Sequence, residues 1–167
     1  LILEKFKEKK IDISSYLEIV PLNSKIKLEN FEIDFVTLTH SILEPNGLSI
    51  KTPLGTVLHT GDWKIDPNPL IGNQMDEQKL KSIGKTGVSA MVCDSTNIFS
   101  PGRAGSESEV RDSLLRIMEL KTNRIIVTSF ASNVARMESI FYCAKKTGRN
   151  ICLVGRSMQR IFNAAKK

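Results

Sequence analysis

One imidazole and one carboxylate stand directly after apolar, strand-like segments in the N-terminal half of the sequence. His40 follows the segment that ends at Thr39, and Asp62 follows the segment that ends at Thr60. Side chains at such positions project from a sheet edge toward a common rim, where ligands are commonly bound. Imidazole and carboxylate are also the usual ligands of a hydrolytic metal ion. We therefore take His40 and Asp62 as candidate metal ligands and catalytic residues.

Each of these residues also has a plainer interpretation when it is taken alone. A single histidine is commonly a hydrogen-bonded structural residue, and an aspartate after a glycine such as Gly61 commonly forms a turn. A catalytic zinc ion needs about three protein ligands plus water, and the only other histidine is His59. We therefore expect the remaining ligands to lie outside these residues, and the first residue, Leu1, suggests a piece of a longer protein.

In the C-terminal half, three apolar segments are each followed by hydroxyl, amide or glycine residues. The carboxyl ends of parallel strands meet at one edge of a sheet, and helix N-termini favour phosphate groups. The candidates for contacts with phosphate or substrate are Asp94, Ser132, Asn133, Arg156 and Ser157. The alternative is that the serines and the asparagine are ordinary helix N-caps. Phe130 could stack on a base, although its position after a strand favours a place in the core.

The pattern of apolar residues predicts an α/β fold in two parts. Alternation predicts short strands over 17–20, 24–28 and 31–37, and a hairpin of 47–51 and 55–60 around a turn at 52–55. Helices are predicted over 76–83, 106–120, 133–146 and from 157, and strands over 88–93, 124–128 and 150–154. Ser106 and Glu109 predict a capping box. A mostly antiparallel first part should therefore give way to a parallel, doubly wound second part near residues 72–87.

The first part resembles the metallo-β-lactamase half of the ribonuclease J family. The resemblance lies in Thr39-His40-Ser41-Ile42, Asn46-Gly47, Thr52-Pro53, Gly55 and His59-Thr60-Gly61-Asp62-Trp63-Lys64-Ile65-Asp66. It implies that His40 binds one metal ion, that Asp62 bridges two, and that His59 is not a ligand. The family's first ligand cluster, His-x-His-x-Asp-His, would lie upstream. The sequence departs from the family at Leu43-Glu44-Pro45, beside His40.

The second part resembles the opening of the β-CASP domain of the same family. The matching motifs are Asp94-Ser95-Thr96-Asn97, Pro101-Gly102, Ser106-Glu107, Phe130-Ala131-Ser132-Asn133-Val134 and Gly155-Arg156-Ser157-Met158. Ala135 stands where the family usually has a histidine, so no role of that histidine is carried over. The resemblance implies the C-terminal part of a metallo-β-lactamase αββα sandwich at 1–75, followed by the start of a doubly wound, parallel-sheet β-CASP domain at 76–167.

Composition sets the remaining expectations. The net charge of +6 favours a polyanionic partner. No apolar run reaches the length needed to cross a bilayer. Cys93, Cys143 and Cys152 lack paired spacing, which predicts buried free thiols in the cytoplasm.

The resemblance implies a ribonuclease that uses two divalent metal ions, Zn²⁺ with Mn²⁺ or Mg²⁺ as alternatives. Such an enzyme cuts RNA from the 5′ end or internally and could form a homo-oligomer at full length. This segment alone is expected to be inactive. The alternatives are a non-catalytic nucleotide- or RNA-binding module and another metallo-β-lactamase-type hydrolase.

Overall fold

The computed structural model describes residues 2–166 and has an α/β architecture built on one mixed, five-stranded sheet. The strands are β1 (Lys25–Leu28), β2 (Phe31–Thr37), β3 (Asn46–Thr52), β4 (Gly55–His59) and β5 (Ala90–Val92). The helices are α1 (Ile2–Glu8), α2 (Glu77–Thr86), α3 (Glu107–Glu119), α4 (Val134–Lys146) and α5 (Arg156–Ala165), with a 3-10 turn at Ser14–Tyr16.

The sheet order places three strand ends together. The strands neighbour one another in the order β1-β2-β3-β4-β5; the first four are antiparallel in sequence, and β5 runs parallel to β4. β2, β4 and β5 therefore point in the same direction. The segments that follow them all leave the sheet at one edge, which we call the site edge.

A small apolar core lies against β2. Val36, Leu38 and Ile83 form its buried cluster. Partly buried side chains pack around that cluster: Trp63, Met75, Leu80 and Val88. Trp63 belongs to the segment after β4, so the core reaches from the sheet to the site edge.

Helix starts follow the sequence signals closely. The capping box predicted at Ser106 and Glu109 is present at the start of α3, and the side chain of Asn133 accepts a hydrogen bond from the backbone of Arg136 at the start of α4. Neither Ser132 nor Ser157 is an N-cap. α5 begins one residue earlier than predicted, because Gly155 occupies the capping position.

The strand predicted over 17–20 is not formed. This stretch is irregular, and Ile19 is 89% exposed. Pro21 lacks a backbone N–H for a ladder, and Asn23 has a left-handed φ of 57°. The chain therefore turns before it can pair, and β1 begins only at Lys25.

The strands predicted over 124–128 and 150–154 are also wrong for the described residues. Both stretches lack strand pairing, and the side chains of Ile126 and Val154 are 85% and 83% exposed. With α4 they line a groove of about 790 Å³ instead. The described residues thus contain one parallel strand pair, β4 with β5, and not a doubly wound parallel sheet.

The predicted division at residue 76 falls inside this sheet. β5 lies after that position and pairs with β4, which lies before it. The division into domains stays a prediction, as does the αββα sandwich.

A buried acid attaches α3 and α4 to the segment after β4. The Asp66 carboxylate accepts hydrogen bonds from the backbone N–H groups of Asn68 (3.0 Å) and Glu107 (3.1 Å). Glu107 in turn binds the guanidinium of Arg136 through two contacts of 2.9 and 3.2 Å. Residues 66, 107 and 136 therefore link the site edge to both helices.

The charge of Asp66 is stabilised despite its burial. Burial by itself raises the pKa of Asp66. Hydrogen bonds from the side chain of Ser106 and from two backbone N–H groups, with the charge of Lys64, outweigh that effect and hold the pKa below its ordinary value of 3.8. Lys64 Nζ lies 3.5 Å from Asp66 Oδ2.

Two further expectations meet different outcomes. All three cysteines are free, as predicted, but only Cys143 is buried; Cys93 and Cys152 are exposed. None of the helices within residues 2–166 is long and apolar enough to span a bilayer.

Replacement of Leu38 by alanine should destabilise the protein by about 2–5 kcal/mol, because it removes a buried side chain from the central cluster and leaves a cavity. Leu38 is 2% exposed, whereas Leu54 at the hairpin turn is 97% exposed. Urea unfolding followed by the fluorescence of Trp63 measures the loss, and Leu54→Ala is the matched control. Equal unfolding midpoints for the two variants would contradict this core assignment.

Asp66→Asn should lower the free energy of unfolding at pH 7 by about 1–3 kcal/mol, since it leaves buried donors poorly satisfied. A carboxylate whose pKa is depressed on folding stabilises the protein above its unfolded-state pKa, and this stabilisation is lost as the pH falls through the folded-state pKa. The difference between wild type and Asp66→Asn should therefore narrow below pH 3.8. Denaturation series at pH 7 and at several lower pH values test this; a gap that is independent of pH contradicts it.

Candidate metal and phosphodiester site

Three candidate side chains follow the three strands that end at the site edge. His40 follows β2, Asp62 follows β4 and Asp94 follows β5. Backbone hydrogen bonds join their segments: Lys64 donates to the carbonyl of Thr39 at 2.9 Å, and Thr60 donates to the carbonyl of Val92 at 3.0 Å. The sequence predicted that His40 and Asp62 share one rim, and the structure places their segments side by side.

The two neighbours of His40 are both fixed by hydrogen bonds. The hydroxyl of Thr39 donates to the carbonyl of Lys64 and accepts from the backbone N–H of Asp66 at 3.3 Å. The carbonyl of Ser41 accepts from the backbone N–H groups of Val134 (2.8 Å) and Ala135 (3.2 Å) at the start of α4. His40 is half-buried between these anchors, with Ser41 Oγ 3.4 Å from its Nδ1.

Asp62 stands on a tight turn at the end of β4. Gly61 has a φ of +59°, a left-handed conformation that favours glycine. Its N–H donates to Nδ1 of His59 at 3.0 Å, so the second histidine supports the turn. Asp62 itself is exposed.

Asp94 is held close to the other two segments. Its backbone N–H donates to the hydroxyl of Thr60 at 3.2 Å, and its carbonyl lies 3.4 Å from the indole nitrogen of Trp63. Hydrogen bonds from the hydroxyl and N–H of Thr96 lower the pKa of Asp94, and the charge of His40 lowers it further. A residue that the sequence suggested only for substrate contacts thus lies in the electrostatic range of His40.

The donor set fits part of a metal site. One imidazole and two carboxylates, from His40, Asp62 and Asp94, are ligand types that hydrolytic divalent metals accept. Within residues 2–166, however, no group of three or more His, Cys, Asp or Glu side chains is close enough to hold a metal ion. The described residues can supply part of a coordination shell.

The candidates for phosphate contacts occupy two helix starts. Asn133 caps α4, and the next N–H groups of that helix are already bound to Ser41. Arg156 and Ser157 form the exposed first turn of α5, where Gly155 provides no side-chain cap. Ser132 is exposed before α4. Within residues 2–166 no parallel sheet joins these starts, contrary to the expectation from the sequence.

Phe130 is not a core residue. Its side chain is 84% exposed, and it borders the groove formed by residues 124–130, 149–154 and α4. An exposed aromatic ring is available for stacking.

Sequence reasoning missed the residues that hold the candidates in place. The structural roles of Thr39 and Ser41 depend on contacts with residues 64, 66, 134 and 135. The sequence analysis named Thr96 only as part of the Asp94-Ser95-Thr96-Asn97 motif and gave it no role of its own. Its spacing of two after Asp94 is typical of an aspartate that caps its own turn, which is the contact observed.

Comparison with known proteins gives a consistent result. Residues 122–167 match the family model described as ribonuclease J, beta-CASP domain. Ribonuclease J of Sinorhizobium meliloti is 44% identical over 142 residues, which cover 85% of this chain and 25% of that protein. Ribonuclease J of Synechocystis is 38% identical over 168 residues, which cover 100% of this chain and 26% of that protein. Ribonuclease J2 of Bacillus subtilis is 32% identical over 167 residues, which cover 100% of this chain and 30% of that protein.

A solved structure shares the fold. It is described as a protein of unknown function from Enterococcus faecalis V583. The two structures match with a TM-score of 0.58 and 20% sequence identity, and the match covers 88% of this chain and 36% of the solved chain. The chain spans about a quarter of the length of the first two of these curated relatives. Since relatives match along its whole length and its C-terminal segment matches the β-CASP model, the chain belongs to the ribonuclease J family.

Proposed function

We propose that the full-length protein is a metal-dependent ribonuclease that hydrolyses phosphodiester bonds of RNA, from the 5′ end, internally or both. The observation that supports the proposal is that the segments bearing His40, Asp62 and Asp94 follow three strands that end at one edge. Family membership supplies the substrate class, since the relatives are named ribonucleases. The free thiols suit the reducing cytoplasm that we propose for the protein.

His40 and Asp62 would hold two divalent metal ions, Zn²⁺ with Mn²⁺ or Mg²⁺ as alternatives, together with ligands from outside residues 1–167. When bound, such ions activate water and neutralise charge on the scissile phosphate. The residues of this chain provide the rigid frame: Thr39 and Ser41 fix the backbone on both sides of His40. Gly61 fixes the turn before Asp62.

RNA would approach across the start of α5 and the groove beside α4. Arg156 offers a planar pair of donors to phosphate oxygens, and Ser157 adds a hydroxyl in the same turn. Ser132, Asn133 and the exposed ring of Phe130 line the approach beside α4. The net charge of +6 adds a long-range attraction to the RNA backbone.

The leading alternative is a non-catalytic RNA-binding module. It is favoured by the incomplete donor set within residues 2–166. Such a module would bind RNA through the same helix starts without cleavage. A metallo-β-lactamase-type hydrolase with another substrate would keep the His40 and Asp62 site but would have no use for the α4 and α5 helix starts.

Asp62→Ala in the full-length protein should reduce RNA cleavage by roughly a thousandfold, because the variant lacks a side chain that would hold the metal ions. Its melting temperature should stay near that of the wild type, since Asp62 is exposed. A gel assay with 5′-labelled RNA measures cleavage and separates terminal from internal cutting. Asp112→Ala, at an exposed carboxylate of α3, is the control. Wild-type cleavage by Asp62→Ala would end the proposal.

Arg156→Ala should weaken RNA binding with little effect on the cleavage rate of bound RNA. Loss of one phosphate contact should reduce the slope of log affinity against log salt concentration by about one. Binding titrations at several salt concentrations measure the slope, with Lys81→Ala as the control, because Lys81 pairs with Glu77 on α2. An unchanged slope in Arg156→Ala would place the RNA path elsewhere.

A further inference from the structure

We infer that Thr39 is a positioning residue: its hydroxyl sets the relative position of His40 and Asp62, and with it the metal affinity of the site. The inference rests on the proposed function for the identity of the two ligands. It assigns to Thr39 no contact with substrate or metal. The role follows from hydrogen bonds that join the two ligand-bearing segments.

Three hydrogen bonds join the segment after β2 to the segment after β4. The backbone N–H of Lys64 donates to the Thr39 carbonyl at 2.9 Å. The Thr39 hydroxyl donates to the Lys64 carbonyl and accepts from the Asp66 N–H at 3.3 Å. One side chain thus provides two of the three links.

The links lie in a buried setting. Thr39 is 2% exposed and Asp66 is 6% exposed, so water cannot readily replace a lost partner. A buried carbonyl or N–H left without a partner costs about 1–3 kcal/mol. Asp66 is itself fixed by the backbone of Glu107 at the start of α3. The Thr39 hydroxyl therefore connects the ligand segments to a rigid helix start.

Position in the sequence makes this connection relevant to the ligands. His40 is bonded directly to Thr39, and Asp62 lies two residues before Lys64. β3 lies between β2 and β4, so the two ligand segments start roughly 10 Å apart, at about 4.8 Å per strand spacing. Metal coordination tolerates errors of only about 0.2 Å in ligand distance. The hydrogen bonds of the Thr39 hydroxyl to Lys64 and Asp66 fix this separation.

The chain provides a matched control two residues before Thr39, at the last residue of β2. Thr37 is 3% exposed, and its hydroxyl donates to the side chain of Asn23 at 3.0 Å. This contact faces the start of β1 and not the segment after β4. Loss of the Thr37 hydroxyl removes a comparable hydrogen bond but leaves the bonds of Thr39 to Lys64 and Asp66 in place.

The experiment compares Thr39→Val, Thr39→Ser and Thr37→Val in the full-length protein. The readouts are Zn²⁺ affinity by competition with a chromophoric chelator, melting temperature, and kcat and KM for RNA cleavage. Thr39→Val should weaken Zn²⁺ binding by about 10–100-fold and lower kcat with KM nearly unchanged. Thr39→Ser keeps the hydroxyl and should recover most of both. Thr37→Val should lose a similar amount of thermal stability but keep its Zn²⁺ affinity.

A Thr39→Val protein that melts earlier yet binds Zn²⁺ and turns over RNA like the wild type would overturn the inference and leave Thr39 with a purely structural role. Equal losses of Zn²⁺ affinity in Thr39→Val and Thr37→Val would overturn it as well. If Thr39→Val does not fold, Thr39→Ala removes the same hydroxyl without a second methyl group. Cleavage that survives Asp62→Ala defeats the proposed function separately, and the Zn²⁺ comparison still decides the role of Thr39.

Discussion

The closure of the segment after β2 onto the segment after β4 is the contact on which the site depends. β3 lies between these strands, so the two segments meet only if nothing on β3 holds them apart. Gly47 provides that condition: a Cβ atom there would lie 3.1 Å from the Leu38 side chain and 3.2 Å from the His59 carbonyl. Any larger residue would require the Leu38 side chain or the His59 backbone to shift. The site edge is thus built over a backbone position without a side chain.

The same segments are tied to the helices that follow. Asp66 binds the start of α3, Glu107 of that helix binds Arg136 of α4, and the start of α4 binds Ser41 beside His40. The path begins at Asp66, four residues after Asp62, and ends at Ser41, next to His40. α4 lies within the residues that match the β-CASP model. The element next to the proposed RNA path therefore also holds the backbone of Ser41, next to a proposed metal ligand.

Local signals in the sequence were sufficient for elements that depend on near neighbours. The hairpin around residues 52–55 and the capping box at Ser106 are confirmed, because each is determined within a few residues. The strands expected at 124–128 and 150–154 failed because a strand also needs a partner for its backbone groups. Apolar composition indicates that a segment can be buried in a sheet. It does not say which strand lies beside it.

The candidate site shows the same division between local and distant information. The positions of His40 and Asp62 after apolar strands predicted a shared edge, since that inference needs only strand direction. Asp94 was assigned to substrate contacts, because nothing near it in sequence indicates that β5 pairs with β4. That pairing brings an ionised carboxylate into the range of His40. An RNA phosphate at this edge would meet the carboxylates of Asp62 and Asp94, and in the proposed function bound cations would offset that repulsion.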